Sequence, residues 1–234
     1  MSSSYSAWFR KGPDPGTIIT LDQPVPSRWK ILEKLNEHDY QVTEEENDEY
    51  GFRSFASAKY LCCDPRARTK KAFMRIYIQV PHRKTEMDDA DTRSRQATTY
   101  NPPELIAYRD LTDKGSSDTP KLLGYKTDKQ DRSGLVPGGF IIWLVWETVP
   151  GLRLGDGNGA DPFWALGSYE REQVRLAFLK ALPYFIGPFE KAGKPERPIM
   201  FGANWIAHFD LAKPDPSTDE RDSDWDKDTS RWQW

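Results

Sequence analysis

The sequence predicts an α+β fold in which strands come first and the longest helix comes late. Two neighbouring segments, 52–63 and 72–80, have the composition of strands, and a turn begins between them at Asp64-Pro65, as in a β-hairpin. Apolar residues recur at helical spacing much later, from 174 to 185, and form one stripe along a helix. Helices collected after strands are typical of the α+β class.

Length, charge and hydropathy limit the classes of partner. The chain has 234 residues and a formal charge of −3, which accommodates one large domain or two small ones. Nucleic-acid affinity rests on clustered Lys and Arg, so this charge balance argues against a nucleic-acid partner. The longest apolar stretch, 140–146, is far shorter than the about 20 residues that span a bilayer, and we interpret it as a buried strand. We therefore expect neither nucleic acid nor a membrane as a partner.

The two cysteines indicate the compartment. Cys62 and Cys63 are adjacent in a predicted strand, where neighbouring side chains point to opposite faces. This arrangement excludes a disulfide framework and favours a reducing intracellular compartment, expected to be the cytoplasm. The N-terminal segment also lacks the apolar core of a signal peptide.

Composition divides the chain into four segments. One helix is expected within the sheet-rich segment, beginning at Glu104 after Pro102-Pro103, and the charged residues 82–99 are expected to form an insertion. The segments are an irregular, Pro- and Gly-rich arm, 1–26; the sheet-rich part, 27–149; a reduced helical part, 150–213; and an acidic, Trp-containing tail, 214–234.

Common catalytic and cofactor signatures do not occur in the sequence. It contains no P-loop, dinucleotide-binding glycine motif, zincin motif, Cys-x-x-Cys or nucleophile elbow. The histidines, His38, His82 and His208, are too dispersed to indicate a metal cluster. A Cys/His nucleophile pair is the weaker interpretation, because adjacent cysteines in a strand are usually small core residues. The tail sequence DSDWDKD lacks the glycine and final glutamate of an EF-hand, which favours a solvated acidic segment.

Several short strings, taken in order, resemble the fungal branch of the protein-kinase-like and aminoglycoside-phosphotransferase-like superfamily. They are ILEKLNEHDY at 31–40, AFMR at 72–75, the helix from Glu104, WETVPG at 146–151, PFWALGSYEREQVRLAF at 162–178 and HFDLA at 208–212. The resemblance covers residues 28–212. It implies a kinase-like fold, with a small antiparallel sheet lobe followed by a reduced helical lobe, and ATP with Mg²⁺ as cofactors.

The resemblance implies roles for four residues around a nucleotide. Arg75 occupies the position of the family's phosphate-pairing lysine, and Glu104 the position of the glutamate that pairs with it. Glu147 and Val149 lie in the string that is similar to the hinge, where backbone groups normally grip adenine. An exposed Arg75 on a half-buried strand is an equally weighted interpretation, and a carboxylate at Glu104 also complements the dipole of its helix.

The sequence departs from the family at the phosphate-binding parts. Asn36, His38 and Gln41 occupy the three glycine positions of the loop that lets backbone approach phosphate closely. At Arg75, a planar guanidinium replaces a compact ammonium group, which is not a conservative change at a fitted site. We therefore expect ATP and Mg²⁺ binding to be weak or lost.

The string HFDLA has two interpretations. In one it is the catalytic loop, so that His208 and Asp210 are catalytic candidates and Asp215 replaces the family's asparagine as a Mg²⁺ ligand. In the other it is the metal-binding segment, with His208 in place of the metal-binding aspartate and no catalytic loop before it. We favour the second, because Trp205 and Ile206 lead directly into the string.

The leading hypothesis is a catalytically impaired, pseudokinase-type binding or scaffold protein, with a protein as its expected partner. The first alternative is an active ATP-dependent phosphotransferase that uses Arg75, Glu104, Asp210 and Asp215 in altered roles. The second is a truncated gene model of such an enzyme.

Overall fold

The computed structural model describes residues 8–10, 12–151, 154, 160–192, 211, 213–214 and 232–233. The chain divides into two compact units, Met1–Val149 and Pro150–Trp234. The first unit contains six strands: β1 (Ile18–Leu21), β2 (Ser27–Tyr40), β3 (Phe55–Cys63), β4 (Lys71–Gln79), β5 (Leu122–Lys129) and β6 (Phe140–Glu147). Its helices are α1 (Glu44–Tyr50), α2 (Ala90–Ser94) and α3 (Pro103–Asp113).

The six strands form one antiparallel sheet in the order β1-β2-β3-β4-β6-β5. The two outer strands approach each other, because Gln23, just after β1, forms a bridge with Tyr125 of β5. Two backbone hydrogen bonds make this bridge, from Gln23 N to Tyr125 O at 3.1 Å and from Tyr125 N to Gln23 O at 2.8 Å. The sheet is therefore nearly closed into a barrel, which satisfies part of each outer edge.

The predicted fold class, an α+β kinase-like fold with a small sheet lobe and then a reduced helical lobe, is wrong. The first unit is a nearly closed antiparallel barrel with few helices. Two features produce the difference. The strand β1, which brings the barrel close to closure, lies within the 1–26 segment expected to be irregular. The strand β2 runs unbroken for 14 residues through the string that was compared with a strand and a glycine-rich loop.

Several individual elements are confirmed. The predicted hairpin is β3 and β4, paired from Phe55–Gln79 to Cys63–Lys71. The apolar run at 140–146 is β6, and the helix with prolines in its first turn is α3. These elements have strong local signals, namely β-branched and aromatic runs between turn residues and a proline at a helix start.

Both faces of the sheet are apolar. Alternate residues of β2, β3, β4 and β6 pack on one face, which includes Trp29, Ile31, Ala56, Ala58, Tyr60, Cys62, Ala72, Met74, Ile76 and Val145. The other face packs with α3 through Tyr77, Leu105, Leu122, Phe140, Ile142, Leu144 and Trp146. Two cationic residues, Lys59 and Arg75, pair with each other across β3 and β4 in the same sheet.

Buried glutamines tie the 82–99 segment to the sheet. The amide nitrogen of Gln79 on β4 donates to the carbonyl of Gln96 at 2.6 Å, and its oxygen accepts from the backbone N–H of Thr98 at 3.0 Å. Gln130 Nε2 in turn donates to the backbone carbonyl of Gln79 at 2.8 Å. These bonds satisfy polar groups that would be costly to bury alone.

The second unit contains α4 (Asp161–Trp164), α5 (Ser168–Ala192) and a two-stranded pair, β7 (Lys213–Pro214) and β8 (Trp232–Gln233). The long helix predicted from its apolar stripe is α5, which continues past the end of that stripe to Ala192. Phe163 and Leu211 share a small apolar cluster, and Arg175 Nε donates to the carbonyl of Leu211 at 2.8 Å. Trp205 and Ile206, which lead into the HFDLA string, lie outside the described residues. Over the part of the chain that the structure describes, helices fall short of the length and apolar character needed to cross a bilayer.

Candidate functional site

Arg75 and Glu104, two of the residues singled out from the sequence, come together in the structure. Arg75 projects from the middle of β4, and Glu104 lies in the first turn of α3. The nitrogen Nη1 of Arg75 is 2.9 Å from Oε2 of Glu104. The hydroxyl of Tyr77, one alternation further along β4, donates to the same oxygen at 2.8 Å. One carboxylate thus joins two sheet residues to the helix.

The electrostatics of this group follow from its partial burial. The Arg75 and Glu104 side chains are 27% and 22% exposed. Burial opposes the charged form of Arg75, but the neighbouring Glu104 carboxylate and Tyr77 outweigh it, so the pKa of Arg75 is raised. Burial, together with the Glu104 charge, also raises the pKa of Tyr77, which keeps its phenol neutral and able to donate.

Aromatic rings and a second cation surround the ion pair. The Nζ atom of Lys59, which pairs with Arg75 across β3 and β4, is 4.0 Å from the centre of the Phe73 ring. The Trp146 ring centre lies 5.7 Å from that Nζ atom and 5.8 Å from Cζ of Arg75. These distances are in the range of cation–π contacts. Tyr108 of α3 stacks on Trp146, with ring centres 5.4 Å apart.

Sequence reasoning missed Lys59, Tyr77 and Trp146 as neighbours of Arg75. Strand alternation places Tyr77 on the same face of β4 as Arg75, so this one was accessible from the sequence. The others required the register of three strands, since Lys59 pairs with Arg75 and Arg75 pairs with Leu144.

Glu147 and Val149 are not brought to this group. Glu147 follows Trp146 on β6, and by strand alternation its side chain lies on the opposite face of the sheet from Arg75. Its Oε2 accepts from the backbone N–H of Lys121 at 3.1 Å. Val149 is 60% exposed in the segment after β6. Their adenine-binding role stays a prediction. His208, Asp210 and Asp215 lie outside the described residues.

A second polar site surrounds His82. The Oγ atom of Ser54 is 3.2 Å from Nδ1 of His82 and accepts from the backbone N–H of Val42 at 3.0 Å. Both Ser54 and His82 are buried. Burial lowers the pKa of His82, while Glu44 and Asp48 act in the opposite direction. These contacts join the start of β3 to the segments before α1 and after β4.

His82 also lines a pocket of about 440 Å³ with mixed charge, which includes Glu44, Asp48, Arg53, Asp88 and Arg95. Its opposing charges give no preference for one sign of ligand. Within the described ranges, no three His, Cys, Asp or Glu side chains form a group that would hold a metal ion.

Three aromatic side chains form an exposed group, the aromatic cluster, which consists of Tyr40, Tyr50 and Phe52. Their exposed fractions are 47%, 59% and 47%. Tyr50 stacks on Phe52 with ring centres 5.5 Å apart, and Tyr40 meets Phe52 edge-on at 6.4 Å. Contiguous exposed apolar groups rimmed by polar residues are typical of interaction sites.

Comparison of the chain with protein-family models, with curated proteins and with solved structures finds no match. The functional argument therefore rests on the residues described above.

Proposed function

We propose that the protein is a non-catalytic binding or scaffold protein that holds a protein partner. The aromatic cluster, Tyr40, Tyr50 and Phe52, is the observation that carries this proposal. Tyr and Phe are enriched in the cores of protein interfaces, where their rings bury large apolar areas at low entropic cost. A stable partner is expected to cover these three side chains.

The aromatic cluster is held in place before any partner binds. Tyr50 ends α1, whose first turn is fixed by reciprocal bonds: Thr43 Oγ1 accepts from Glu46 N at 3.2 Å, and Glu46 Oε2 accepts from Thr43 N at 2.8 Å. Gly51 then takes a left-handed conformation, with φ of 69°, and turns the chain toward Phe52. A backbone that is already ordered loses little freedom on binding, which favours affinity.

The group around Glu104 supports a structural use of Arg75. The cation that the resemblance would place on a phosphate binds a carboxylate within the unit, and Tyr77 binds the same oxygen. In addition, Asn36 and His38 pair with Lys59 and Ser57 of β3 within β2. Backbone groups engaged in a sheet ladder do not form a phosphate-binding loop.

Two buried thiols are consistent with work in a reducing, intracellular compartment. Cys62 and Cys63 are both free and buried. Cytosolic proteins commonly keep unpaired cysteines as small core residues. We therefore propose an intracellular compartment for the protein.

Site-specific photo-crosslinking tests the partner surface. A benzophenone amino acid at Tyr50 in the full chain should crosslink a protein that the same group at Val25 does not. Val25 is a matched control because it is 69% exposed and lies before the start of β2, whereas Tyr40 lies at its other end. The purified crosslinked protein should bind the wild type and bind the Phe52→Ala variant at least about tenfold more weakly. Equal crosslinking at both positions, or equal affinity for Phe52→Ala, contradicts the proposal.

Nucleotide titration separates this function from phosphotransfer. We expect Mg²⁺ to add nothing to any effect that ATP has on the melting temperature of the full chain, because the phosphotransferase alone requires the metal with the nucleotide. Anything that binds only the folded state raises that temperature by mass action. A clear Mg²⁺-dependent rise, together with phosphate transfer that is lost in Asp210→Asn, supports the active phosphotransferase instead.

A further inference from the structure

A pocket of about 400 Å³ opens at the end of the barrel where β2 begins and β3 ends. The β1–β2 connection, the β3–β4 turn and the start of β5 all contribute to its wall. Its main residues are Arg28, Trp29, Asp64, Arg66, Lys70 and Leu123. Mouths of barrels are common places for ligands, and this volume lies within the range of small-molecule sites.

The charges of this pocket are strongly one-sided. Arg28, Arg66 and Lys70 supply three cations, and Asp64 supplies the one carboxylate in its lining. The Oδ1 atom of Asp64 already accepts from the backbone N–H of Arg66 at 2.8 Å. Among the residues that the structure describes, none of the three cations forms an ion pair. The pocket therefore carries a surplus of positive charge, with Asp64 as the one carboxylate in its lining.

Two of the cations stand on an ordered turn. The backbone N–H of Asp64 donates to the carbonyl of Lys70 at 3.0 Å and closes the β3–β4 turn. Within it, Ala67 N donates to Asp64 O at 3.2 Å, and Lys70 N donates to Ala67 O at 2.8 Å. The turn consequently holds Arg66 and Lys70 at fixed positions along the backbone, which lowers the entropic cost of binding.

Apolar groups contribute most of the remaining lining, beside the hydroxyl-bearing Thr20 and Ser27. Trp29 belongs to the buried core at this end of β2, and Leu123 packs against the same core from β5. The Nζ atom of Lys70 lies 5.8 Å from the centre of the Trp29 ring, so a cation stands next to an apolar wall. Pro26 and Pro65 extend that wall. A ligand that fits both parts has an anionic group attached to an apolar body.

We propose that this pocket binds a phosphomonoester carried on an apolar or aromatic body. A phosphomonoester carries close to two negative charges at neutral pH and three acceptor oxygens, which matches the charge surplus better than a single carboxylate does. The forked guanidinium groups of Arg28 and Arg66 suit bidentate binding of phosphate oxygens. The aromatic cluster lies at the other end of β2, so this site is separate from the proposed partner surface.

Isothermal titration of the full chain with phenyl phosphate tests the proposal. We expect saturable binding, at least about tenfold tighter than binding of inorganic phosphate, because only phenyl phosphate also contacts the apolar wall. Phenol alone should not bind measurably. A phosphotyrosine peptide and a nucleoside monophosphate, titrated in parallel, distinguish a modified protein from a free metabolite as the source of the phosphate. If none of phenyl phosphate, the phosphotyrosine peptide and the nucleoside monophosphate binds saturably, the proposal is wrong.

The β3–β4 turn provides matched control variants. Arg66 and Lys70 line the pocket, whereas Arg68 and Lys71 are exposed residues of the same turn region that do not. We expect Arg66→Ala and Lys70→Gln each to weaken phenyl phosphate binding about tenfold, and Arg68→Ala and Lys71→Gln to change it less than about twofold. The matched pairs are Arg66→Ala with Arg68→Ala, and Lys70→Gln with Lys71→Gln. Equal losses of binding within each pair would show that general surface charge attracts the anion, and the pocket would be excluded as the site. Either pair decides the question if one variant fails to fold.

Discussion

The hydroxyl of Tyr77 lies 2.8 Å from a carboxylate oxygen of Glu104, although the two residues are 27 positions apart in the chain. Since Arg75 binds the same oxygen, Glu104 is the point where α3 is fastened to β4. The helix also contributes Leu105 and Tyr108 to the core that covers β6. The Glu104 carboxylate and the apolar side chains Leu105 and Tyr108 therefore all lie on the side of α3 that faces the sheet.

Removing the charge of Glu104 should destabilise the first unit. In Glu104→Gln the Arg75 cation loses its partner while it remains half-buried, so we expect the free energy of unfolding to fall by about 1–3 kcal/mol. Urea unfolding, followed by circular dichroism, measures this change. Tyr77→Phe, which removes one of the two bonds, should cost about 0.5–1.5 kcal/mol.

An exposed ion pair in the same sheet provides the control. Lys126 and Asp128 of β5 lie 2.8 Å apart, and their side chains are 32% and 50% exposed. Because water screens such a pair, Asp128→Asn should change the free energy of unfolding by less than about 1 kcal/mol. If Glu104→Gln costs no more than Asp128→Asn, the Glu104 contacts do not fasten the helix.

The buried imidazole of His82 should make stability depend on pH. Burial lowers its pKa in the folded protein below the ordinary value of 6.5, with Arg53 acting in the same direction and Glu44 and Asp48 against it. Below pH 6.5 the unfolded chain therefore binds a proton that the folded protein does not. The free energy of unfolding should fall as the pH drops through this value and level off below the folded-state pKa.

Comparison with a variant isolates the contribution of His82, because carboxylates also titrate in acid. The difference in free energy of unfolding between wild type and His82→Gln, from urea titrations between about pH 5 and 8, should change with pH. His38→Gln, at an exposed position of β2, controls for the loss of an imidazole as such. A constant difference between wild type and His82→Gln contradicts the prediction.

Local signals explain why some of this fold was accessible from the sequence. The β3–β4 hairpin, β6 and α3 each have a pattern that is complete within one segment. The strand β1 has only four residues between stretches rich in Gly and Pro, so its signal is short, and its role in nearly closing the barrel depends on a bridge to Tyr125. The fold class depends on the pairing of strands that are distant in the sequence, which no single segment indicates.

The candidate sites also combine features that a local sequence pattern indicates with contacts that only tertiary packing creates. Thr43 followed three residues later by Glu46 is the signature of a capping box and marks the start of α1. That signal was present and was missed. The contact of Ser54 with His82 spans 28 residues and requires the packing of two loops, which no local pattern encodes. The pairing of Arg75 with Glu104 was weighed only through the family resemblance.

The thiol of Cys62 should be unreactive in the folded protein. Burial raises its pKa to about 12, and its Sγ donates to the carbonyl of Ala72 at 3.3 Å. Since the thiolate is the reactive form, we expect an aromatic disulfide reagent to modify neither cysteine before the first unit unfolds, and both cysteines in urea. Leu35→Cys, at an exposed position of β2, should react at once in the folded protein. Rapid modification of the wild type without urea would contradict this burial.

Gly139 should be intolerant of a side chain. An added Cβ would lie 2.6 Å from Oε1 of Gln79 and 3.0 Å from the carbonyl oxygen of Val136. Gln79 is 1% exposed, and its amide holds Gln96 and Thr98 on the sheet, so it has no free direction in which to move. We expect Gly139→Ala to lower the free energy of unfolding by about 1–3 kcal/mol.

A double-mutant cycle assigns that loss to the Gln79 amide. Gln79→Ala removes the atoms that the new methyl group meets first, so the additional cost of Gly139→Ala in that background should fall by at least about 0.5 kcal/mol. Urea unfolding of the four proteins gives the coupling energy. Strictly additive losses would mean that the methyl group clashes with the backbone at Val136. In that case the Gln79 side chain would not limit the space at Gly139.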